Sequence, residues 1–356
     1  MAQATYDTFN SNKLSKFVGS SKYSRKNLFS QVGLVKANPF KYNVVKYIYA
    51  TSSVYVPGAF ILKPLSEKAW CKESNWIGYV AVATDEGRLA LGRRDILVAW
   101  RGTIQPIEWV KDLEYPLVSA SKIVGRGGGG DVHQGFLSIY MSENQKSRFN
   151  KTSARDQVLS EVKRLVEHYK DEEISITSTG HSMGAALSTL SATDIACNGH
   201  NKLDNNSNKT CPVTAFNFAS PLVGDSNFRD TLKSTNDLHI LSILNVPDII
   251  PHLPAMIGYT SVGIELPIDS RKYRFLKFPG DPDSWHNLEG SYLHSLAIEN
   301  GSEVKRDIAL VNKSCGALKE KYSIPVFWWC ERNKGMVQMN NGSWILYDHE
   351  KDDNDP

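Results

Sequence analysis

The sequence has no apolar run long enough to cross a lipid bilayer. Its longest apolar stretches, such as ILVAW (96–100) and VFWWC (326–330), are far shorter than the about 20 residues of a membrane helix. It also lacks an apolar secretory segment near its start, a C-x-x-C pair and an even number of cysteines. These absences exclude an integral membrane protein and indicate reduced thiols in a reducing compartment. We therefore expect a cytoplasmic protein.

Charge of one sign is not in large excess either, because the net charge is only +3, and no feature indicates nucleic-acid binding. The charges are unevenly placed, however. The first 50 residues hold eight Lys or Arg and one acid, Asp7, whereas the tail YDHEKDDNDP (347–356) is acidic. The basic flank is interpreted as a contact with an anionic membrane, a solvated face, or an arm lying against the acidic tail. Its Ser- and Lys-rich, acid-poor composition also resembles a transit peptide, which makes a plastid the alternative location.

Strands and helices are predicted to alternate along most of the chain. The pattern predicts strands at 76–84, 95–101, 173–180, 212–220 and 239–246, and helices near 40–50, at 153–171 and at 185–196. The glycine-rich segment VGRGGGGD (124–131) is predicted to be a flexible connector, and no G-K-[ST] follows it as a phosphate-binding loop would require. The alternation predicts an α/β fold, with a central, mostly parallel sheet flanked by helices.

The segment TSTGHSMGAALSTL (177–190) has the pattern of a nucleophile elbow. Its G-x-S-x-G pentapeptide stands between a predicted strand and a predicted helix, where a sharp turn lifts the Ser182 oxygen clear of the sheet. Glycine at 180 and 184 would let the strand and the helix approach each other closely. The alternative is that Ser182 only caps the helix. The strand–turn–helix context favours the nucleophile.

A serine nucleophile needs an acid and a base, which in this fold follow it along the chain in that order. Asp248, in LNVPDIIPHLP, comes directly after the predicted strand at 239–246 and is held between prolines. Active-site residues lie at the carboxyl edge of such sheets, so this position suits the acid. Asp194 lies on the elbow helix and Asp237 at the wrong end of the strand. Asp248 is therefore the predicted acid.

Two histidines in WHNLEGSYLH are candidates for the base. His286 follows a loop rich in Pro, Gly and Asp and is modestly favoured by the pattern, whereas His294 lies in a predicted helix and His252 is too near the acid. The oxyanion needs two backbone N–H groups. We expect them from Met183, directly after the nucleophile, and from Thr103, at the end of the strand in VAWRGT.

Five of these segments together resemble the class 3 lipases: VAWRGT, VHQGF, TGHSMGAALSTL, NVPDIIPHLP and WHNLEGSYLH. Longer segments, including ESNWIGYVAV, LGRRDILVAWRGT and YKDEEISITSTGHSMGAALS, resemble the plant phospholipase A1 class II enzymes over nearly the whole chain. The resemblance implies an α/β-hydrolase-like fold and one catalytic domain over 1–356, with a basic, helical flank (1–50) and an acidic tail (346–356).

The same resemblance implies hydrolysis of the sn-1 acyl ester of glycerophospholipids, without a metal or organic cofactor. Galactolipids and mono- or diacylglycerols are further candidate substrates. It places the nucleophile on Ser182, the acid on Asp248 and the base on His286, in preference to His294. It also maps a lid onto 104–117, where Ile107 and Trp109 would face lipid or, alternatively, pack in the core.

The expected partner is a lipid substrate in membranes or micelles, reached through peripheral membrane contact, and the oligomeric state stays open. Two other functions stay open as well. The same acyl-enzyme would serve an acyltransferase that uses an alcohol as acceptor. A catalytically silent lipase-like signalling protein is less favoured, because all three triad positions are present.

Overall fold

The computed structural model describes residues 1–35, 38–64, 69–104, 114–125, 129–203, 209–273, 276, 280–293, 295–296, 336–338, 341–342, 344–346 and 348–352. Within these ranges no helix has the length and hydrophobicity that a membrane span needs. Across the same ranges, Cys71, Cys197 and Cys211 form no disulfide. Cys315 and Cys330 lie outside the described residues.

The strands are β1 Tyr42–Ala50, β2 Asn75–Ala83, β3 Arg94–Trp100, β4 Leu117–Ser119, β5 Asp131–His133, β6 Ile174–His181, β7 Val213–Phe218, β8 Leu238–Asn245, β9 Ile264–Ile268, β10 Met336–Gln338 and β11 Trp344–Leu346. The largest sheet has the order β1-β2-β3-β6-β7-β8-β9. Its first two pairings are antiparallel, and those from β3 to β9 are parallel. The α/β fold with a mostly parallel central sheet is therefore confirmed.

The α-helices are α1 Ala2–Thr8, α2 Leu28–Gln31, α3 Asp85–Leu91, α4 Ser121–Val124, α5 Gln134–Met141, α6 Ala154–His168, α7 Met183–Cys197, α8 Ser226–Ser234 and α9 Pro282–His286. Within the described residues, 3-10 turns cover Ile250–His252 and Ser270–Lys272, and a π-helical segment covers Leu288–Leu293. The predicted helices at 153–171 and 185–196 correspond to α6 and α7. α6 begins after Ser153, whose side chain accepts the Asp156 N–H and so caps the helix.

The helix predicted near 40–50 is wrong, because this segment is strand β1. Its sequence, YNVVKYIYA, is rich in β-branched and aromatic residues, which suit a pleated surface. β1 pairs antiparallel with β2, and Tyr47 and Ile48 are buried against the sheet. The apolar spacing in so short a segment fits either element, and the pairing with β2 decides it.

The basic flank lies against the acidic tail. Arg25 makes a two-pronged ion pair with Asp352, with N–O distances of 2.6 to 3.0 Å, and the Arg25 N–H also donates to that carboxylate. Glu350 accepts the Ser24 N–H at 2.9 Å. Of the three interpretations of the flank, the arm against the tail is the one observed for tail residues 348–352.

The parallel strands direct their carboxyl ends to one edge of the sheet, as parallel strands in an α/β fold must. β3 ends at Trp100, β6 at His181 and β8 at Asn245. The segments that follow these strands therefore lie close together. This edge carries Thr103, Ser182 and Asp248.

Candidate active site

Ser182 stands at a sharp turn between β6 and α7, as the elbow pattern predicted. Its backbone has φ 59° and ψ −128°, a conformation that side-chain-bearing residues rarely adopt. The Ser182 N–H donates to the Phe218 carbonyl at 2.9 Å, which fixes the turn to the end of β7. Its hydroxyl is buried and has no hydrogen-bond partner among the described residues. A strained residue with an orphan hydroxyl is typical of a functional position.

The two glycines of the pentapeptide permit the close contacts around this turn. A Cβ at Gly180 would lie 2.2 Å from the Gly184 carbonyl carbon, and a Cβ at Gly184 would lie 2.5 Å from the Trp100 oxygen. Any side chain at either position would force β6, α7 and β3 apart. The glycines therefore set the height of Ser182 above the sheet.

Asp248 and His286 form a buried pair. The His286 Nδ1 lies 2.8 Å from Asp248 Oδ2. The same carboxylate oxygen accepts the Tyr292 hydroxyl at 2.6 Å, and Oδ1 accepts the Ile250 N–H at 3.0 Å. With three hydrogen bonds to it, the carboxylate is held in one orientation. Because the Asp248 carboxylate can only accept, it favours the His286 tautomer that is protonated on Nδ1. The other ring nitrogen, Nε2, is then able to accept a proton.

Tyr292 supports this carboxylate from the π-helical segment. Its hydroxyl donates to Asp248 and accepts the Asn245 N–H at 3.1 Å. Burial and the nearby Asp248 charge hold the pKa of Tyr292 well above its usual range, so the phenol stays neutral. The sequence prediction missed this residue, although it stands in the GSYLH segment beside the predicted base.

His181 joins the base to the elbow. Its Nε2–H donates to the His286 carbonyl at 2.7 Å, its Nδ1 lies 2.7 Å from the Tyr6 hydroxyl, and the rings of His181 and His286 are 4.5 Å apart. Burial and the neighbouring His286 hold the pKa of His181 well below its usual range. His181 is the residue before the nucleophile, so this contact brings His286 to the elbow. His181 and Tyr6 were both missed from the sequence.

The predicted oxyanion donors lie at the same edge. Met183 is the first residue of α7, where the backbone N–H has no partner within the helix. Thr103 is buried in the segment after β3. Arg101, two residues before Thr103, donates to the carbonyls of Trp76, Gly102 and Phe60 at 2.7 to 3.1 Å. This buried guanidinium fixes the path of the chain toward Thr103, and burial lowers its pKa to about 9.

Ile107, Trp109 and His294 lie outside the described residues. Asp194 is buried in an ion pair with Arg155, which makes it structural. Within the described part of the chain, no group of His, Cys, Asp and Glu could hold a metal ion.

A parallel sheet with a serine elbow after one strand, and an Asp–His pair supplied from later in the chain at the same edge, is the arrangement of the α/β-hydrolase class. Comparison with known families matches residues 97–257 to the class 3 lipases. Phospholipase A1-IIgamma of Arabidopsis thaliana is 54% identical over 100% of this chain and 87% of its own length. Phospholipase A1-II 1 of Oryza sativa subsp. indica is 50% identical, over 99% and 89%.

Among solved structures, the Rhizomucor miehei triacylglyceride lipase is 25% identical over 54% of this chain and 62% of its own, with a TM-score of 0.39. The two plant relatives align over essentially the whole chain, well beyond the segment that matches the lipase family. The chain belongs to the class 3 lipases and, within them, to the plant phospholipase A1 class II family.

Proposed function

We propose that this protein is a serine-dependent phospholipase A1 that releases the sn-1 fatty acid of glycerophospholipids and leaves a 2-acyl lysophospholipid. The observation that carries the proposal is the buried Asp248–His286 pair, linked through His181 to the strained Ser182 elbow. The substrate class rests on the plant relatives, which are named phospholipases A1.

In the proposed reaction, His286 takes the Ser182 proton while the Ser182 oxygen attacks the sn-1 carbonyl carbon. The amides of Met183 and Thr103 stabilise the oxyanion that forms. His286 then returns the proton to the glycerol oxygen, the C–O ester bond breaks, and the lysophospholipid leaves. A water molecule, deprotonated by His286, attacks the acyl carbonyl carbon; the bond between that carbon and the Ser182 oxygen breaks, His286 returns the proton to Ser182, and the fatty acid leaves. No metal or organic cofactor takes part in these steps.

We further propose that the loop after β8 contacts the membrane that presents the substrate. Val246, Ile249, Met256 and Ile257 are all exposed on this loop, which also carries Asp248. Exposed apolar side chains grouped beside a lipid-hydrolysing site are the chemistry expected of a lipid-facing surface. Tyr259 donates to the Tyr115 carbonyl at 2.8 Å, so the loop also contacts residue 115, which belongs to the segment predicted as a lid (104–117).

Binding to phosphatidylcholine vesicles tests this surface. Ile257→Ser is expected to weaken vesicle binding about tenfold, because one isoleucine contributes about 1.5 kcal/mol or more when buried in lipid. Leu89→Ser is the matched control, since Leu89 is exposed on α3 at the opposite edge of the sheet. Both variants should keep wild-type activity on a short soluble ester. If Ile257→Ser binds vesicles as well as Leu89→Ser does, the loop after β8 is not the membrane-contacting surface.

We also propose that the chain forms one catalytic domain and works in the cytoplasm, with a plastid as the alternative. The extended sheet and the flank-to-tail contacts support the first point, and the described cysteines without a disulfide support the second. A fluorescent fusion of the full chain would separate the two compartments.

The substrate proposal is tested with phosphatidylcholine that carries distinguishable acyl chains at sn-1 and sn-2. Wild-type protein should release the sn-1 acid, and Ser182→Ala should release neither acid. Mass spectrometry of products, with and without an added alcohol, separates hydrolysis from acyl transfer. Release of the sn-2 acid first, or a dominant alkyl ester, would refute the phospholipase A1 assignment. Parallel galactolipid and monoacylglycerol reactions would rank the substrates.

A further inference from the structure

A chain of hydrogen bonds joins the first helix of the protein to the candidate base. It runs from the Tyr6 hydroxyl on α1, through the His181 ring at the end of β6, to the His286 backbone carbonyl, with both distances at 2.7 Å. Tyr6 is 175 residues from His181, and His181 is 105 residues from His286. We call these three residues the Tyr6 network.

The chemistry of its acceptor fixes the direction of the Tyr6 network. A carbonyl oxygen only accepts, so His181 must carry its proton on Nε2. A neutral His181 then offers Nδ1 as an acceptor, and the Tyr6 hydroxyl donates to it. Burial and the neighbouring His286 keep His181 neutral, which is the state that this pattern requires.

The hydrogen bond from His181 to the His286 carbonyl matters because α9, which ends at His286, is short and its last carbonyls have no helical partners. Asn245, at the end of β8, donates its side-chain amide to the Trp285 carbonyl at 2.9 Å. His181, at the end of β6, donates its ring Nε2–H to the His286 carbonyl at 2.7 Å. The residue that presents the base is therefore tied to two strand ends, one of which leads directly into Ser182.

We propose that Tyr6 and His181 are positioning residues of the hydrolase: the Tyr6 network holds the His286 backbone at a fixed distance from the Ser182 elbow. The His286 carbonyl fixes the His181 tautomer, the Tyr6 hydroxyl holds the ring through Nδ1, and His181 transmits this constraint to His286. This inference rests on the proposed serine-hydrolase chemistry. It assigns a function to α1, which lies outside the segment that matches the lipase family.

Contacts around Tyr6 extend the same constraint to the oxyanion segment. A Cβ at position 102 would lie 2.0 Å from the Tyr6 hydroxyl oxygen and 2.5 Å from the His181 carbonyl oxygen. Gly102 directly precedes Thr103, the expected oxyanion donor. The Tyr6 hydroxyl is thus packed against the backbone that presents Thr103 as well as hydrogen bonded toward the base.

The test compares four variants on a short soluble ester, which avoids effects of lipid binding. Tyr6→Phe removes the donor, His181→Leu removes the ring, and His181→Gln keeps an amide N–H near the Nε2 position. Tyr79→Phe is the matched control, because the buried Tyr79 hydroxyl binds the Met1 carbonyl at 3.1 Å and so contacts the same end of the chain without reaching the network.

A positioning role predicts loss of kcat at unchanged KM. Misplacing a reacting group by about 1 Å costs on the order of 100-fold in rate, so His181→Leu should lose about that much and Tyr6→Phe about tenfold. His181→Gln should recover most of the loss, and Tyr79→Phe should match wild type. Adding Tyr6→Phe to His181→Leu should change nothing further, because the path is already broken.

Nitrogen-15 NMR of labelled histidine supplies a readout that does not depend on activity. Wild-type His181 should show the Nε2–H tautomer with a hydrogen-bonded Nδ1, whereas Tyr6→Phe should keep this tautomer and lose the shift that the hydrogen bond gives to the Nδ1 resonance. An unchanged Nδ1 resonance in Tyr6→Phe, additive losses in the double variant, or equal effects of Tyr6→Phe and Tyr79→Phe would overturn the network. If wild-type protein hydrolyses no ester, the proposed function fails and the positioning role fails with it. Active wild type with unaffected variants overturns the network alone.

Discussion

Replacing Ser182 by glycine should make the fold more stable than replacing it by alanine. Ser182 has φ 59° and ψ −128°, where a Cβ is strained by about 1–3 kcal/mol. Alanine keeps that strain and only removes the orphan hydroxyl. Glycine relieves the strain and loses about 0.4–1 kcal/mol through the greater freedom of its unfolded chain. The balance predicts Ser182→Gly to be about 1 kcal/mol more stable than Ser182→Ala.

Ser188 provides a matched control. It is fully buried on α7 and its hydroxyl also has no hydrogen-bond partner within the described residues, but its backbone is helical. There glycine should be about 1 kcal/mol less stable than alanine. Free energies of unfolding in urea, measured for the four variants, give the two differences directly. If Ser182→Gly is also less stable than Ser182→Ala, the elbow stores no strain and the reasoning is refuted.

Three further predictions concern the residues around the nucleophile. Asp248→Asn should lower kcat about 10⁴-fold with the fold intact, because the neutral amide no longer favours the reactive tautomer of His286; a loss below tenfold in steady-state hydrolysis would contradict the acid role. The unfolded chain binds a proton at His181 below about pH 6.5 that the folded protein does not bind. As pH falls below this value, the free energy of unfolding of wild type should therefore decrease by up to about 1.4 kcal/mol per pH unit relative to that of His181→Gln. Urea unfolding at several pH values measures the difference, and the same pH dependence in both proteins would disprove it. Arg101→Lys should destabilise the protein by at least about 2 kcal/mol, because lysine leaves buried carbonyls without donors; an unchanged urea midpoint would argue against that function of the guanidinium.

Sequence reasoning predicted the parts of the candidate site that depend on local pattern. The strand, turn and helix around Ser182 are adjacent in the chain, and Asp248 follows a strand whose periodicity is plain. Because parallel strands end at one edge of a sheet, Ser182 and Asp248 are predicted to lie close together even when the order of the strands is unknown. The same local reasoning was wrong at β1. The apolar pattern of these nine residues fits both a strand and a helix, and only the pairing with β2 shows that the segment is a strand.

The missed residues share a different property. Tyr6, His181 and Tyr292 act through hydrogen bonds between segments that are far apart in the chain. No spacing rule links a tyrosine in the first helix to a ring that lies 175 residues later. Arg101 was missed for a related reason: an arginine after a strand is usually solvated, and its burial follows only from three carbonyls that converge on it.

Covalent labelling with a fluorophosphonate tests the central claim most directly, because this reagent reports an activated serine whatever the natural substrate. The account predicts one label per chain, mapped by peptide mass to Ser182, with none on Ser182→Ala and much slower labelling of Asp248→Asn. A label on any other residue, or equal labelling of wild type and Ser182→Ala, would contradict it.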